Sequence, residues 1–190
     1  MKVKTRFTSS IVPTDVITTA ALKLHCRVDH DDEDTLIESL RLAAIGKVQS
    51  MTGKMLDLVG VEFYMDEIAD VHLPWAPLVT VTSVGIKQSD GSYTNMSGGY
   101  YYDTIGNSPS LEFSTFPSLL ADGFNHVKIT GTVGYDASAG ETPAALIQAV
   151  SLLVEHWYQF RGQGSVVNVN SIPMGVESLI SEHRNVYFTP

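Results

Sequence analysis

With a single cysteine, Cys26, among its 190 residues, the chain has neither an internal disulfide framework nor a thiolate-rich zinc site. Cys26 itself reads as a small apolar residue packed on a helix. No apolar run approaches the roughly 20 residues that a bilayer span requires, so no membrane is expected. Met1 to Phe7 carries basic residues without the apolar stretch of a secretory signal, which points to a cytoplasmic origin. Cations are scarce and scattered: 12 Lys and Arg against 21 Asp and Glu leave a formal charge of −9. Binding that grips phosphates would need a local basic patch, and none is visible in the sequence.

Catalytic and ligand-binding signatures are missing as well. There is no Gly-x-Ser-x-Gly elbow and no glycine-rich loop closing on Gly-Lys-Ser/Thr. Gly162-Gln163-Gly164 follows a helical pattern instead of opening one, which makes it a helix stop. The six histidines show no i,i+4 pair with an acid between, and the His156-Trp157 pair reads as packing. Asp29, Asp31, Glu33 and Glu38 suggest a calcium loop, yet its sixth position holds Asp34 in place of glycine and its twelfth Leu40 in place of glutamate. The expectation is a protein that is not an enzyme, with no cofactor and no metal.

What the chain does contain is an order of segments. Residues 31–52 place Ile37, Leu40, Ala44, Val48 and Met51 at three- and four-residue steps, one face of a helix. Asp31, Asp32, Glu33 and Asp34 crowd its expected first turn, where carboxylates meet unpaired N–H groups and the positive end of the dipole, and Gly53 closes it. A late helix begins at Thr142-Pro143 and carries Leu146, Val150, Leu153, Trp157 and Phe160. A short helix over 18–26, capped by Thr18 and offering Ala21, Leu22 and Leu24 for packing, precedes the first, and another covers 176–183.

Between residues 56 and 140 the period falls to two. Val127, Ile129, Gly131 and Val133 alternate with Lys128, Thr130 and Thr132, a half-buried strand. Residues 78–88 form another, whose apolar phase slips near Ser83 as a bulge would make it. Asp90-Gly91 predicts a two-residue hairpin turn with positive φ at both positions, and Tyr93 begins the return. Residues 59–65, 99–103 and 110–113 complete the strands. Pro74-Trp75-Ala76-Pro77 reads as an extended lead into residues 78–88.

These readings give an α+β fold: a small helical bundle built from the N- and C-terminal helices, residues 14–56 with 140–184, carrying an inserted antiparallel β module over 57–139. Residues 1–13 form an N-terminal arm and 185–190 a C-terminal tail, segments with no obvious core of their own to join. Asn185, Val186, Tyr187 and Phe188 are the candidate partner-docking arm. Leu40, Ala44, Leu153 and Trp157 are the candidate residues for body packing and subunit contact.

The ordered set resembles a known family. Residues 18–28 (TTAALKLHCRV), the acidic step 29–34, the helix 35–52 (TLIESLRLAAIGKVQSMT), residues 73–84 (LPWAPLVTVTSV), 130–135 (TGTVGY), 143–161 (PAALIQAVSLLVEHWYQFR) and the closing 173–180 (PMGVESLI) are similar to the head-tail connector, or head-completion adaptor, family of tailed bacteriophages. The middle block matches its longer, β-inserted members. The resemblance implies a structural subunit of the virion neck, assembled in the host cytoplasm. It implies a homo-oligomeric ring, commonly of twelve copies, beneath the portal protein, with a stopper or tail-completion protein below. Packaged DNA would pass through without specific binding. Asp31, Asp32 and Glu33 are then the candidate acidic channel surface, since like charge repels phosphates and lets DNA slide. A rival reading is a small ligand-binding or enzymatic module with a pocket of Trp75, Tyr100, Tyr101 and Tyr102. Consecutive tyrosines on a strand alternate faces, which counts against it.

Overall fold

The computed structural model describes residues 3–9, 16–105, 108–120, 123–135, 141–160 and 174–185. Over these residues the architecture is α+β, with two apolar cores.

The first core is helical. Helix α1 (Thr19–Cys26) starts where Thr18 accepts from the Ala21 N–H at 3.1 Å, and turns off through Arg27 at φ 59°. Helix α2 spans Asp34–Thr52 and closes on Gly53. Its start differs from the sequence reading: residues 31–33 form a turn ahead of the helix, and of the acidic run only Asp34 lies in the first turn. Its buried face is Ile37, Arg41, Ala44, Ile45, Val48, Gln49 and Thr52, one residue round from the expected stripe, so Leu40 and Met51 sit on the rim. Helix α3 (Ala144–Gln159) buries Leu146, Ala149, Val150, Leu153 and Val154 against α2. Its N-cap is Pro143; the Thr142 hydroxyl, expected to cap, instead donates to the Leu56 carbonyl at 3.0 Å. Helix α4 (Met174–Ser181) adds Val176 and Ile180 to the same core.

The second core lies between two antiparallel sheets. The larger runs β1 (Lys4–Phe7), β2 (Val59–Met65), β8 (Val127–Val133), β4 (Leu78–Lys87), β5 (Tyr93–Asn95) in spatial order; the smaller runs β3 (Val71–His72), β7 (Ser110–Phe113), β6 (Tyr100–Asp103). Strict alternation puts Val59, Val61, Phe63 and Met65 of β2 inward, facing Val127, Ile129, Gly131 and Val133 of β8. Strand β4 reaches the same core with Leu78, Val81, Val84 and Ile86, a spacing of three, three and two. Two register shifts, between Leu78 and Thr80 and between Val81 and Ser83, absorb the extra residues. Gly131 is needed opposite them, because a Cβ there would lie 2.3 Å from the Thr80 carbonyl oxygen.

Two expectations change. Residues 4–7, read as part of an arm, are the outer strand β1 and pair with β2, Lys4 opposite Tyr64 and Phe7 opposite Val61. A four-residue strand is too short for its alternation to stand out from the flanks. The hairpin between β4 and β5 uses a three-residue loop: the Gly91 N–H donates to Gln88 and only Gly91, not Asp90, has positive φ. Asp90 serves instead by accepting from the Ser92 backbone and hydroxyl.

Candidate functional site

Three surfaces of the chain have chemistry beyond packing. The first is the polar rim of the helical bundle. Lys23 reaches Asp31 at 2.5 Å and Asp34 at 2.6 Å, which raises the lysine pKa and lowers that of Asp31. Tyr158 on α3 donates to Glu33, and His25 lies 3.1 Å from Glu155. Buried Arg41 makes a two-bonded pair with Glu38, at 2.8 and 2.7 Å, and Thr19 donates to the same carboxylate. Arg41 first, and then Thr19, hold the Glu38 pKa down to about 2. The acidic step is therefore largely turned to fastening α1, α2 and α3 together. Of the three residues read as a channel surface, Asp31 pairs with Lys23 while its side chain stays 91% exposed, Glu33 accepts from Tyr158, and Asp32 is exposed in the turn.

The second is the junction between the cores. Ala76 bonds the chain on both sides of Lys54, its N–H donating to the Gly53 carbonyl at 2.9 Å and its carbonyl accepting from the Met55 N–H at 2.8 Å. Lys54, between them, is buried, and burial lowers its pKa to about 8. Asn185 closes the junction: its N–H donates to Thr52 at 2.7 Å, its amide to Leu73 and Pro74, and its Oδ1 accepts from Ser108 at 3.1 Å. Asn185 is 4% exposed. Expected at the root of a docking arm, it is instead consumed inside the chain, because a buried amide must pair all its polar atoms. Val186, Tyr187 and Phe188 lie outside the described residues, as do the expected stops Gly162 and Gly164.

The third surface is exposed apolar area. On the helical side, of Ala21, Leu22 and Leu24, all expected to pack, only Leu22 is buried; Ala21 is exposed and Leu24 is 81% exposed. On the β module Tyr101 is 70%, Ile105 82% and Phe116 65% exposed. Ala44 and Leu153 are fully buried in the helical core, with Leu40 and Trp157 partly buried against it. Ala44 and Leu153 are therefore packing residues of the helical core, while Leu40 and Trp157 stand on its partly exposed rim. The pocket of the rival reading is not assembled: Trp75 packs edge-on against Phe7 with centroids 5.4 Å apart, Tyr100 packs into the β core, and Tyr101 points outward. Among the described residues no group of three His, Cys, Asp or Glu could hold a metal, and no helix is long and apolar enough to cross a membrane.

Neither a family model nor a curated protein matches the chain. Solved structures do. A chain from the neck of an empty GTA particle, computed with C6 symmetry, superposes with a TM-score of 0.80 at 26% identity, covering 98% of this chain and 97% of that one. A chain from the virion of a native gene transfer agent (GTA) particle gives a TM-score of 0.80 at 27% identity, covering 97% of each chain. A third, from the neck of a native GTA particle computed with C12 symmetry, gives 0.72 at 26% identity over 98% and 97%. The likeness spans both cores, the helical bundle and the β module alike.

Proposed function

We propose that this chain is a structural subunit of the neck of a phage-like particle, an adaptor that forms a ring of twelve copies under the portal protein. It joins the portal to a stopper or tail-completion protein and keeps the DNA exit continuous, without catalysis. The observation that carries this reading is end-to-end similarity, at a TM-score of 0.80, to chains of GTA neck and virion structures. Ring assembly is supported by the sixfold and twelvefold symmetry in which those necks were computed.

Physical chemistry adds two supports. A chain of this size with large exposed apolar side chains on both halves has surface that association would cover. Twelve copies at −9 each would build an acidic ring, across which DNA slides instead of sticking. In this reading Asp32, together with whatever charge Asp31 and Glu33 retain beyond Lys23 and Tyr158, borders the channel, and Val186, Tyr187 and Phe188 dock on a partner. Assembly takes place in the host cytoplasm before the particle is complete.

The test is particle assembly without this chain. Heads that package DNA but lack tails and lose their contents, repaired by supplying the chain in trans, are the expected result. Complete tailed particles formed in its absence would rule the reading out.

A further inference from the structure

Cations scattered along the sequence come together on one face of the larger sheet. Its inner face lines the β core, so alternation turns Lys4 and Arg6 of β1, Lys128 of β8 and Lys87 of β4 the other way, beside Tyr64 of β2 and Tyr93 of β5. Two carboxylates answer these four cations. Glu62 lies 3.8 Å from Arg6 and 3.7 Å from Lys128, and Asp66 lies 3.4 Å from Lys4. Glu67 and Asp90 stand in loops at the rim of the sheet. Aromatic surface is interleaved with the charge. The Lys4 and Lys87 ammonium groups lie 5.3 and 5.4 Å from the ring centroid of Phe124, which is 62% exposed, and that of Lys128 lies 4.8 Å from the centroid of Tyr93.

The outer face of the smaller sheet has the opposite sign. Its strands contain no lysine or arginine, since none occurs from residue 55 to 86 or from 88 to 127. Tyr101 and Glu112, partners in the register, both turn away from the core, while Tyr100, Leu111 and Phe113 enter it. Asp103 is exposed at the end of β6, and Asp70, also exposed, accepts from the Phe113 N–H at 2.9 Å. Arg184 stands at the junction end, beside the Asn185 that accepts from Ser108. Carboxylates therefore surround Tyr101 on this side, as cations surround Phe124 on the other.

The two sheets meet through their inner faces, so these two surfaces look in opposite directions. A twofold contact through either one would set like charges together. A head-to-tail contact sets the cationic face of one copy against the acidic face of the next, and repetition of such a contact closes into a ring when its rotation permits. Exposed aromatic rings on both sides give the contact an apolar centre, which charge pairs alone would not supply.

We propose that the outer face of the larger sheet, around Arg6, Lys87, Lys128 and Phe124, receives the outer face of the smaller sheet, around Tyr101 and Glu112, of a second copy of this chain. This rests on the ring reading and specifies which surfaces close it.

The experiment uses the full chain carrying Arg6→Glu or Glu112→Lys, both at exposed positions, with circular dichroism melts to confirm folding and light scattering to follow assembly. Each variant alone sets like charges across the contact and should need a concentration higher by about tenfold or more to form rings. An equimolar mixture of the two should recover assembly, because copies can then alternate so that every contact again joins opposite charges at these positions. Glu177→Lys, exposed on α4, should assemble as the unaltered chain does. Rings that form equally well with all three variants, or a mixture no better than its components, overturn the assignment of surfaces and leave the ring intact; a chain that remains a monomer at every concentration overturns both. Binding of a labelled DNA duplex that is abolished by Arg6→Glu while ring assembly is unchanged would give the cationic face to nucleic acid and overturn the proposal.

Discussion

The helical bundle and the β module are held together in different ways. The bundle brings α2 against α3 across about 90 intervening residues, and its contacts are finished by ion pairs at the rim, Lys23 with Asp31 and Asp34, Arg41 with Glu38. The β module is closed by main-chain pairing, with Val59 to Met65 matched residue for residue against Val127 to Val133. The bundle therefore depends on the module folding between its two parts, whereas the module meets the bundle at the junction of Gly53 and Met55 with Ala76 and at Asn185. Both cores should respond to truncation of buried side chains, but the bundle rim should respond to pH and the module to backbone geometry at its bulge.

The two tryptophans allow this contrast to be broken, because Trp75 packs on the β core and Trp157 on the helical core. Phe63→Ala and Leu153→Ala should each destabilise by about 3–5 kcal/mol, since both side chains are fully buried. With Trp75→Phe or Trp157→Phe isolating one reporter at a time, urea melts of both halves should shift together. Separate midpoints for the two reporters would show that the junction does not couple the cores.

A backbone test comes next. Gly131→Ala forces a methyl against the Thr80 carbonyl at the β4 bulge and should cost about 3 kcal/mol. A loss under about 1 kcal/mol in the same melts would mean that the bulge can relax.

At the junction Asn185→Ala removes the partner of Leu73, Pro74 and Ser108 and should cost about 2 kcal/mol. Here the sharper readout is coupling: Trp75 and Trp157 should begin to unfold at different urea concentrations. Lys54 beside it supplies a pH signature. Its folded-state pKa of about 8 lies below the ordinary 10.5, so the folded chain holds its proton less firmly than the unfolded one. The cost is full below pH 8 and is relieved as pH rises from about 8 toward 10.5. Stability should climb between pH 8 and about 10 by roughly 1–3 kcal/mol, and Lys54→Met should flatten that rise.

The smallest effect falls on the bundle rim. Glu38 has a pKa depressed to about 2, so its contribution is present above about pH 4.5 and lost as pH falls toward 2. Because its side chain is 40% exposed, solvent screening limits that contribution, and Glu38→Gln should cost about 1 kcal/mol at neutral pH and nothing near pH 2. A difference that persists in acid would mean that Arg41 is held by something other than the carboxylate.

Much of this fold was legible residue by residue. Thr18 as a cap, Gly53 as a stop, the alternation of 127–133 and the phase slip in 78–88 each depend on neighbours within a few positions, and local sterics and hydrogen bonding decide them. Legibility failed where a choice depended on distant chain. Whether Leu24 or Leu22 turns inward is set by where α3 lies, and Lys4 to Phe7 become a strand only because β2 offers an edge. The acidic step reads locally as helix capping, but only the fold brings Lys23 to Asp31 and Asp34 and Tyr158 to Glu33.

Periodicity and turn chemistry thus determine the helices and the longer strands, though not the short β1 and β3, because those preferences are satisfied within one or two turns of chain. Tertiary structure alone decides which apolar residues remain outside. Burial is shared out among segments that meet only after folding, so Asn185 sinks into the junction while Tyr101, Ile105 and Leu24 are left facing solvent.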